Sequence, residues 1–117
     1  MKSGTAAIPP EHEAILRVIH AIPRGRVTSY GEVAARARLP RRARLVGRVL
    51  GAYSVLKLPW QRVLRSDGRI AFPRGSSGYR EQRALLIEEG VIVRNGRVDL
   101  SRFGWQRNLD AELWAPR

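Results

Sequence analysis

The sequence contains no cysteine. That absence excludes a disulfide framework, a thiolate metal site and a cysteine nucleophile. Histidine is nearly as scarce: His12 and His20 stand eight residues apart, with no further soft ligand nearby. The pair does not make a zinc site, and a Ser-His-Asp triad would have to draw its imidazole from this one segment. No glycine-rich phosphate cradle is present. No apolar run approaches the ~20 residues of a membrane-spanning helix. The opening "MKSGTAAIPPEHEA" has no secretory apolar core, so a soluble cytoplasmic protein is expected. The adjacent acids Glu88 and Glu89 lie near an expected helix end, and nothing marks them as an acid–base pair. No metal and no cofactor are expected.

What the chain does have is positive charge. Its 117 residues suit one domain, and 44% hydrophobic residues suit one modest core. Lysine and arginine number 22 against 10 acids, a formal net charge of +12, and 20 of the 22 are arginine. A small domain this basic is drawn to a polyanion, nucleic acid first. The competing reading is a charge that serves solubility alone. The distribution is uneven: residues 1–60 hold 11 basic and 3 acidic side chains, residues 61–117 hold 11 and 7. The densest stretch runs from Arg24 to Arg48, with eight arginines opposed only by Glu32.

Residues 1–9 read as a flexible tail ahead of a domain spanning 10–117. Ala14, Ile15, Val18, Ile19 and Ile22 recur at helical spacing, which predicts a helix over 11–22, ended by Pro23 and Gly25. Ser29 with Glu32 three residues on forms a capping box for a second helix at about 30–38. Pro40 breaks it, and a third helix follows in "RRARLVGRVLGAY", from Arg41 to Tyr53. Two helices across a short turn make a helix-turn-helix outline. At ~100° per residue, Leu45, Val46, Val49 and Leu50 share one face. Arg41, Arg44 and Arg48 share the opposite face with Ala43 and Gly47, so that small residues admit a DNA backbone while long side chains reach past it. A merely solvated arginine face is the alternative. "LPWQRVLRSDGRIAF" reads as extended, with Asp67-Gly68 as a hairpin signal. "PRGSSG" is a loop carrying Arg74 and Ser76. A helix from Tyr79 follows, capped by Gly90. Asn95-Gly96 marks another hairpin, and Phe103, Trp105 and Trp114 are expected to fold back on the core.

At residues 57–64, "KLPWQRVL" has the outline of a reactive site with an indole at its centre. "PWQRV" resembles the "PCHRV" motif of the O6-alkylguanine-DNA alkyltransferases, with Trp60 where the reactive cysteine stands. It is still more similar to the alkyltransferase-like proteins, which carry "PWHRV" or a close relative. "GRVTSYGEVA", "ARLVG", "LPWQRV", "SDGRI", "QRALLIEEGV" and "LWAP" occur in the expected order, so the resemblance covers about residues 10–116. It implies an α/β, mostly helical single domain: a winged helix-turn-helix-like core with short β-hairpins, like the alkyltransferase C-terminal domain. It implies that Tyr30 crowds the 3′ phosphate of a target nucleotide and promotes its rotation. It makes Arg44 the finger that takes the flipped base's place, with Arg41, Arg48, Ala43 and Gly47 beside it on the DNA. Trp60, Gln61, Arg62, Arg74, Ser76 and Glu89 are implied around the lesion pocket, Arg62 in a structural position and Glu89 as partner of the motif's second residue.

One departure matters. The motif histidine, which in the transferases relays the proton that activates cysteine, is Gln61 here. With no thiolate to form, glutamine loses nothing chemically and can still hydrogen-bond Glu89. The resemblance implies non-enzymatic binding of O6-alkylguanine in duplex DNA through the minor groove, with base flipping, followed by hand-over to nucleotide excision repair proteins. Extrusion costs on the order of a few kcal/mol, which phosphate contacts and a bent minor groove can offset. A monomer, associated with the nucleoid when DNA-bound, is expected. The rival readings are a sequence-specific helix-turn-helix regulator and a lesion-processing enzyme, for which Glu89 is a weak candidate acid.

Overall fold

The computed structural model describes residues 7–105. The chain begins with α1 (Pro10–Ala21), then β1 (Thr28–Ser29), α2 (Tyr30–Arg36) and α3 (Ala43–Ala52). Single 3-10 turns at Ser54–Leu56 and Trp60–Arg62 lead into β2 (Val63–Leu64). The long α4 (Ser77–Glu88) follows, then β3 (Val93–Arg94), β4 (Arg97–Val98) and the short α5 (Leu100–Phe103). This is the mostly helical α/β fold expected, with β3–β4 as the wing.

Two apolar clusters hold it together. The first joins α1, α2 and α3 through Ile15, Ile19, Val33, Val46 and Val49, all excluded from solvent. The second gathers Val27, Leu64, Ile70, Leu86 and Val98 under α4 and the wing. The parallel β1–β2 pair, Thr28 to Val63 and Ser29 to Leu64, sits between them. Successive strand residues face opposite ways, so Val63 enters the first cluster and Leu64 the second.

Sequence punctuation explains most boundaries. Ser29 caps α2, its Oγ accepting from Glu32 N at 3.1 Å. The return half of the expected capping box is absent, because the Glu32 carboxylate pairs with Arg36 one turn on at 2.9 Å. Gly90, at φ +87°, ends α4, with Val91 N–H donating to Leu86 O at 3.0 Å. Asn95 and Gly96 both take positive φ in the β3–β4 turn, as a two-residue hairpin requires. A Cβ on Gly96 would lie 2.7 Å from the Tyr79 hydroxyl, so close packing as well as the turn demands glycine there.

Three expectations need correction. The third helix starts at Ala43, not Arg41. Pro40 and Arg41 form a turn closed by Arg42 N–H to Leu39 O at 3.2 Å, and Arg41 has φ +69°, which no helix accepts. "LPWQRVLRSDGRIAF" is not one extended hairpin. Trp60–Arg62 is a 3-10 turn and β2 pairs with β1 instead. Asp67-Gly68 does reverse the chain, with Arg65 N–H donating to Arg69 O at 2.9 Å, but Arg69 then bridges Arg97 of the wing. Finally, α4 begins at Ser77, two residues before Tyr79, because Ser76 caps it. Phe103 and Trp105 pack against the clusters as expected; Trp114 lies outside the described residues.

Candidate nucleic-acid interface

The dense arginine stretch divides by what each guanidinium does. Arg24 donates to Glu88 O, and Arg26 to Arg102 O. Arg36 donates to Trp105 O at 2.9 Å and stacks over the Trp105 ring at 3.9 Å. These three tie the chain together. Arg38, Arg41, Arg44 and Arg48 are exposed, and no hydrogen bond or ion pair engages their side chains among the described residues. They cluster around the α2–α3 turn and along α3. The buried face of α3 carries Leu45, Val46 and Val49, as expected, with Leu50 half-buried.

The N-terminal end of α3 is electrostatically unusual. A helix N-terminus favours negative charge, yet no acidic residue occupies the first turn, while Arg41, Arg42 and Arg44 crowd it. Arg42 reaches only Glu11, at 3.9 Å. The free amides and these arginines together suit a phosphate.

Beside this face opens a cavity of about 610 Å³. Gly47, Leu50 and Gly51 of α3 line one side and Tyr30, the first residue of α2, another. Gly47 lies against Tyr30: a Cβ there would sit 4.0 Å from Tyr30 Cε1, in ordinary contact. Burial raises the Tyr30 phenol above its ordinary pKa, which keeps it a neutral hydroxyl. Opposite stands Trp60, in edge-to-face contact with Phe72, ring centroids 6.0 Å apart at 86°. Gly78 and Glu81 of α4 complete the wall.

The structure splits the expected lesion pocket in two. Trp60 is on the cavity wall, but Gln61, Arg62 and Glu89 lie behind it in a largely buried cluster. Arg62 Nε donates to both Glu89 oxygens, at 2.9 and 3.1 Å, and its Nη2 donates to Oε2 at 3.0 Å. Arg62 Nη1 donates to Ile22 O at 2.8 Å. Gln61 Nε2 donates to Glu89 Oε2 at 2.6 Å, and Gly25 N–H to Oε1 at 2.9 Å. The Glu89 side chain is 4% exposed. Burial would push its carboxyl up, but the Arg62 guanidinium, the Gly25 amide and the Gln61 amide outweigh burial and hold its pKa below the ordinary value. Glu89 is thus an anionic anchor that joins Arg62, Gln61 and Gly25.

Arg74 and Ser76 are not among the residues lining the cavity. Arg74 is exposed in the turn between Pro73 and Ser76. The Ser76 hydroxyl is spent on capping, donating to Pro73 O at 2.7 Å and accepting from Tyr79 N–H at 3.2 Å. Phe72 occupies the wall instead. Sequence reasoning missed Phe72, Glu81 and Gln82. The last is 1% exposed, and its Nε2 donates to Gln61 O and Val63 O at 3.0 Å each, fixing the turn that presents Trp60. Its register with Leu86 on the buried side of α4 is the one signal that marks it.

With this geometry in place, the chain's relationships are informative. Residues 10–91 match the family described as 6-O-methylguanine DNA methyltransferase, DNA binding domain. The chain belongs to this alkyltransferase family. A DNA base-flipping protein of Vibrio parahaemolyticus serotype O3:K6 is 40% identical over 93 residues, 79% of this chain and 92% of its own length. Alkyltransferase-like protein 1 of Schizosaccharomyces pombe is 34% identical over 96 residues, 81% of this chain and 85% of its own. The fold matches the crystal structure of S. pombe Atl1 in complex with damaged DNA containing O6-carboxymethylguanine. That match has TM-score 0.76 and 28% identity and covers 87% of this chain and 100% of the other. Mycobacterium tuberculosis OGT in complex with DNA matches with TM-score 0.57 and 29% identity, over 76% of this chain and 54% of its own. The alkyltransferase family assignment thus rests on sequence and fold together, in a member without cysteine.

Proposed function

We propose that this protein binds duplex DNA carrying an O6-alkylated guanine, rotates the damaged nucleotide into the aromatic-walled cavity and holds it there without removing the alkyl group. The observation that carries this reading is the placement of that cavity. Trp60, Phe72 and Tyr30 line a space large enough for a base, against the helix α3 that carries the exposed Arg44 and Arg48, in a chain that offers no cysteine to accept an alkyl group. Flipped bases are read by stacking between aromatic and apolar side chains. Arg44 fills the gap left in the duplex, Tyr30 crowds the rotated phosphate, and Arg41 and Arg48 hold the flanking backbone across the minor groove. The bound lesion is then a mark for nucleotide excision repair proteins. The protein acts in this reading as a cytoplasmic monomer whose working domain is residues 10–117.

Fluorescence polarisation with one O6-methylguanine in a duplex, against the same duplex undamaged at matched physiological salt, tests the proposal. The lesion duplex is expected to bind at least about tenfold tighter, and equal affinity overturns the reading. In the same assay Arg44→Ala is expected to weaken lesion binding by about tenfold, whereas Arg97→Ala, on the wing, stays within about twofold. Arg97 serves as the control because its Nε already donates to Asp67 O at 3.0 Å.

Arg41 provides a second test with opposite signs. Its φ of +69° follows Pro40 in a turn position that favours glycine. An arginine held there costs on the order of 1 kcal/mol, which its use on DNA would explain. Arg41→Gly is expected to leave thermal stability unchanged or raise it. It should also weaken DNA binding severalfold and reduce the salt slope by about one. A melting curve and a salt titration read the two effects separately.

A further inference from the structure

We infer that Glu81 sets the charge preference of the cavity, so that it accepts neutral or cationic adducts and disfavours anionic ones. The inference rests on the lesion-binding function proposed above and names the adduct class that site selects.

Glu81 is the one charged residue among those lining the cavity. The rest of the wall is glycine, leucine and aromatic rings, with Ser54 as the other hydroxyl besides Tyr30. Glu81 is exposed on α4, and no ion pair or side-chain hydrogen bond involves it among the described residues. Its helical neighbours cannot neutralise it either: the positions three and four residues away are Ser77, Gly78, Ala84 and Leu85, so no intrahelical pair forms. In a chain of net charge +12, an uncompensated carboxylate beside a DNA-binding face runs against the surrounding field.

Its neighbours reinforce the same sign. The ring faces of Trp60, Phe72 and Tyr30 carry negative quadrupole density, which attracts cations and repels anions. An adduct ending in a carboxylate therefore meets like charge from Glu81 and no compensating cation on the wall. A neutral adduct of the same size meets neither penalty. Phe72, packed so closely on α4 that a Cβ at Gly78 would lie 2.7 Å from its ring, keeps the aromatic wall against the helix that carries Glu81.

The experiment uses the 117-residue chain and four duplexes differing at one base. These are guanine, O6-methylguanine, O6-carboxymethylguanine and its neutral isostere O6-carbamoylmethylguanine. Competition binding at matched salt is expected to favour the carbamoyl over the carboxymethyl adduct by about tenfold. Glu81→Gln should shrink that ratio to about twofold, chiefly by strengthening carboxymethyl binding, and Glu81→Lys should reverse it. Using the ratio cancels any general gain in DNA affinity from removing an acid. If O6-methylguanine and the carbamoyl adduct outbind guanine but the carboxymethyl adduct binds as well as its isostere, the role of Glu81 is overturned and the lesion-binding reading stands. A ratio unmoved by Glu81→Gln overturns it too. If no adduct outbinds guanine, both readings fall.

Discussion

Replacing Glu89 with alanine is expected to lower the unfolding free energy by about 3–5 kcal/mol, because it strands a buried guanidinium. Arg62 would keep its bond to Ile22 O but lose its carboxylate partner, and Gly25 N–H and Gln61 Nε2 would lose their acceptor. Against a typical domain stability of about 5–15 kcal/mol, this is a large fraction. Urea denaturation measures it, and a shift in midpoint at constant slope is the expected form. The damage should reach the cavity as well. Glu89 caps the C-terminus of α4, Gly25 lies between α1 and β1, and Gln61 follows Trp60 directly, so one carboxylate fastens three segments behind the indole. An intact fold with less than about 1 kcal/mol lost would show that the cluster is incidental.

The same cluster gives a pH dependence. The folded pKa of Glu89 lies below its ordinary value: burial opposes the carboxylate, and Arg62, Gly25 and Gln61 together overcome it. The unfolded carboxyl titrates at about 4.3. Between that value and the lower folded one, the unfolded state binds the extra proton, so stability falls as pH falls. The contribution is complete above the unfolded pKa and lost as pH drops through the folded one. Asp67, held down chiefly by the Arg69 amide, and Asp99, held down chiefly by the Ser101 hydroxyl, add to the same slope from exposed positions. The Glu89 variant should therefore show a shallower acid limb, not a flat one.

How much of this was legible in the sequence follows from the range of each interaction. The apolar periodicity of α1 and α3, the Ser29 cap, the Gly90 stop and the Asn95-Gly96 turn are encoded within a few residues, and the structure contains them. The exposed arginines of α3 could be read from the helical wheel. The pairing of β1 with β2 could not, since Thr28 meets Val63 across two helices. Nor could the division of labour among the arginines. Arg36 has Glu32 one turn before it, but its bond to Trp105 O, from a residue 69 positions away, is written in no local pattern. Phe72 and Glu81 reach the cavity because α4 packs on the Trp60 turn through Gln82, a buried polar contact that no local pattern announces. Arg41 was placed on a helix by its spacing and lies outside it because of Pro40, whose turn sets the backbone of its successor.

Trp60→Ala is expected to cut the preference for lesion over undamaged duplex by about tenfold or more, while affinity for undamaged DNA changes by about threefold at most. Stacking of a base on an aromatic side chain is worth about 1–3 kcal/mol, and Trp60 offers the largest ring on the cavity wall. The exposed arginines proposed above to meet phosphates lie elsewhere, on the α2–α3 turn and α3, so the electrostatic part of binding should survive. The indole is half-buried and its ring meets Phe72 edge-on. Truncation thus removes two surfaces at once: the one that receives the base and the one that steadies Phe72. Trp60→Phe should recover part of the preference, because a smaller ring still stacks. Two measurements separate a pocket wall from a core residue. A pocket wall gives a fallen lesion ratio with a modest change in melting temperature. A core residue gives a fallen melting temperature with the ratio intact, and that result would overturn the assignment. Because the turn holding Trp60 is braced from behind by Arg62, Glu89 and Gln82, the side chain can be removed without withdrawing its support, which makes the substitution a clean probe of the indole itself.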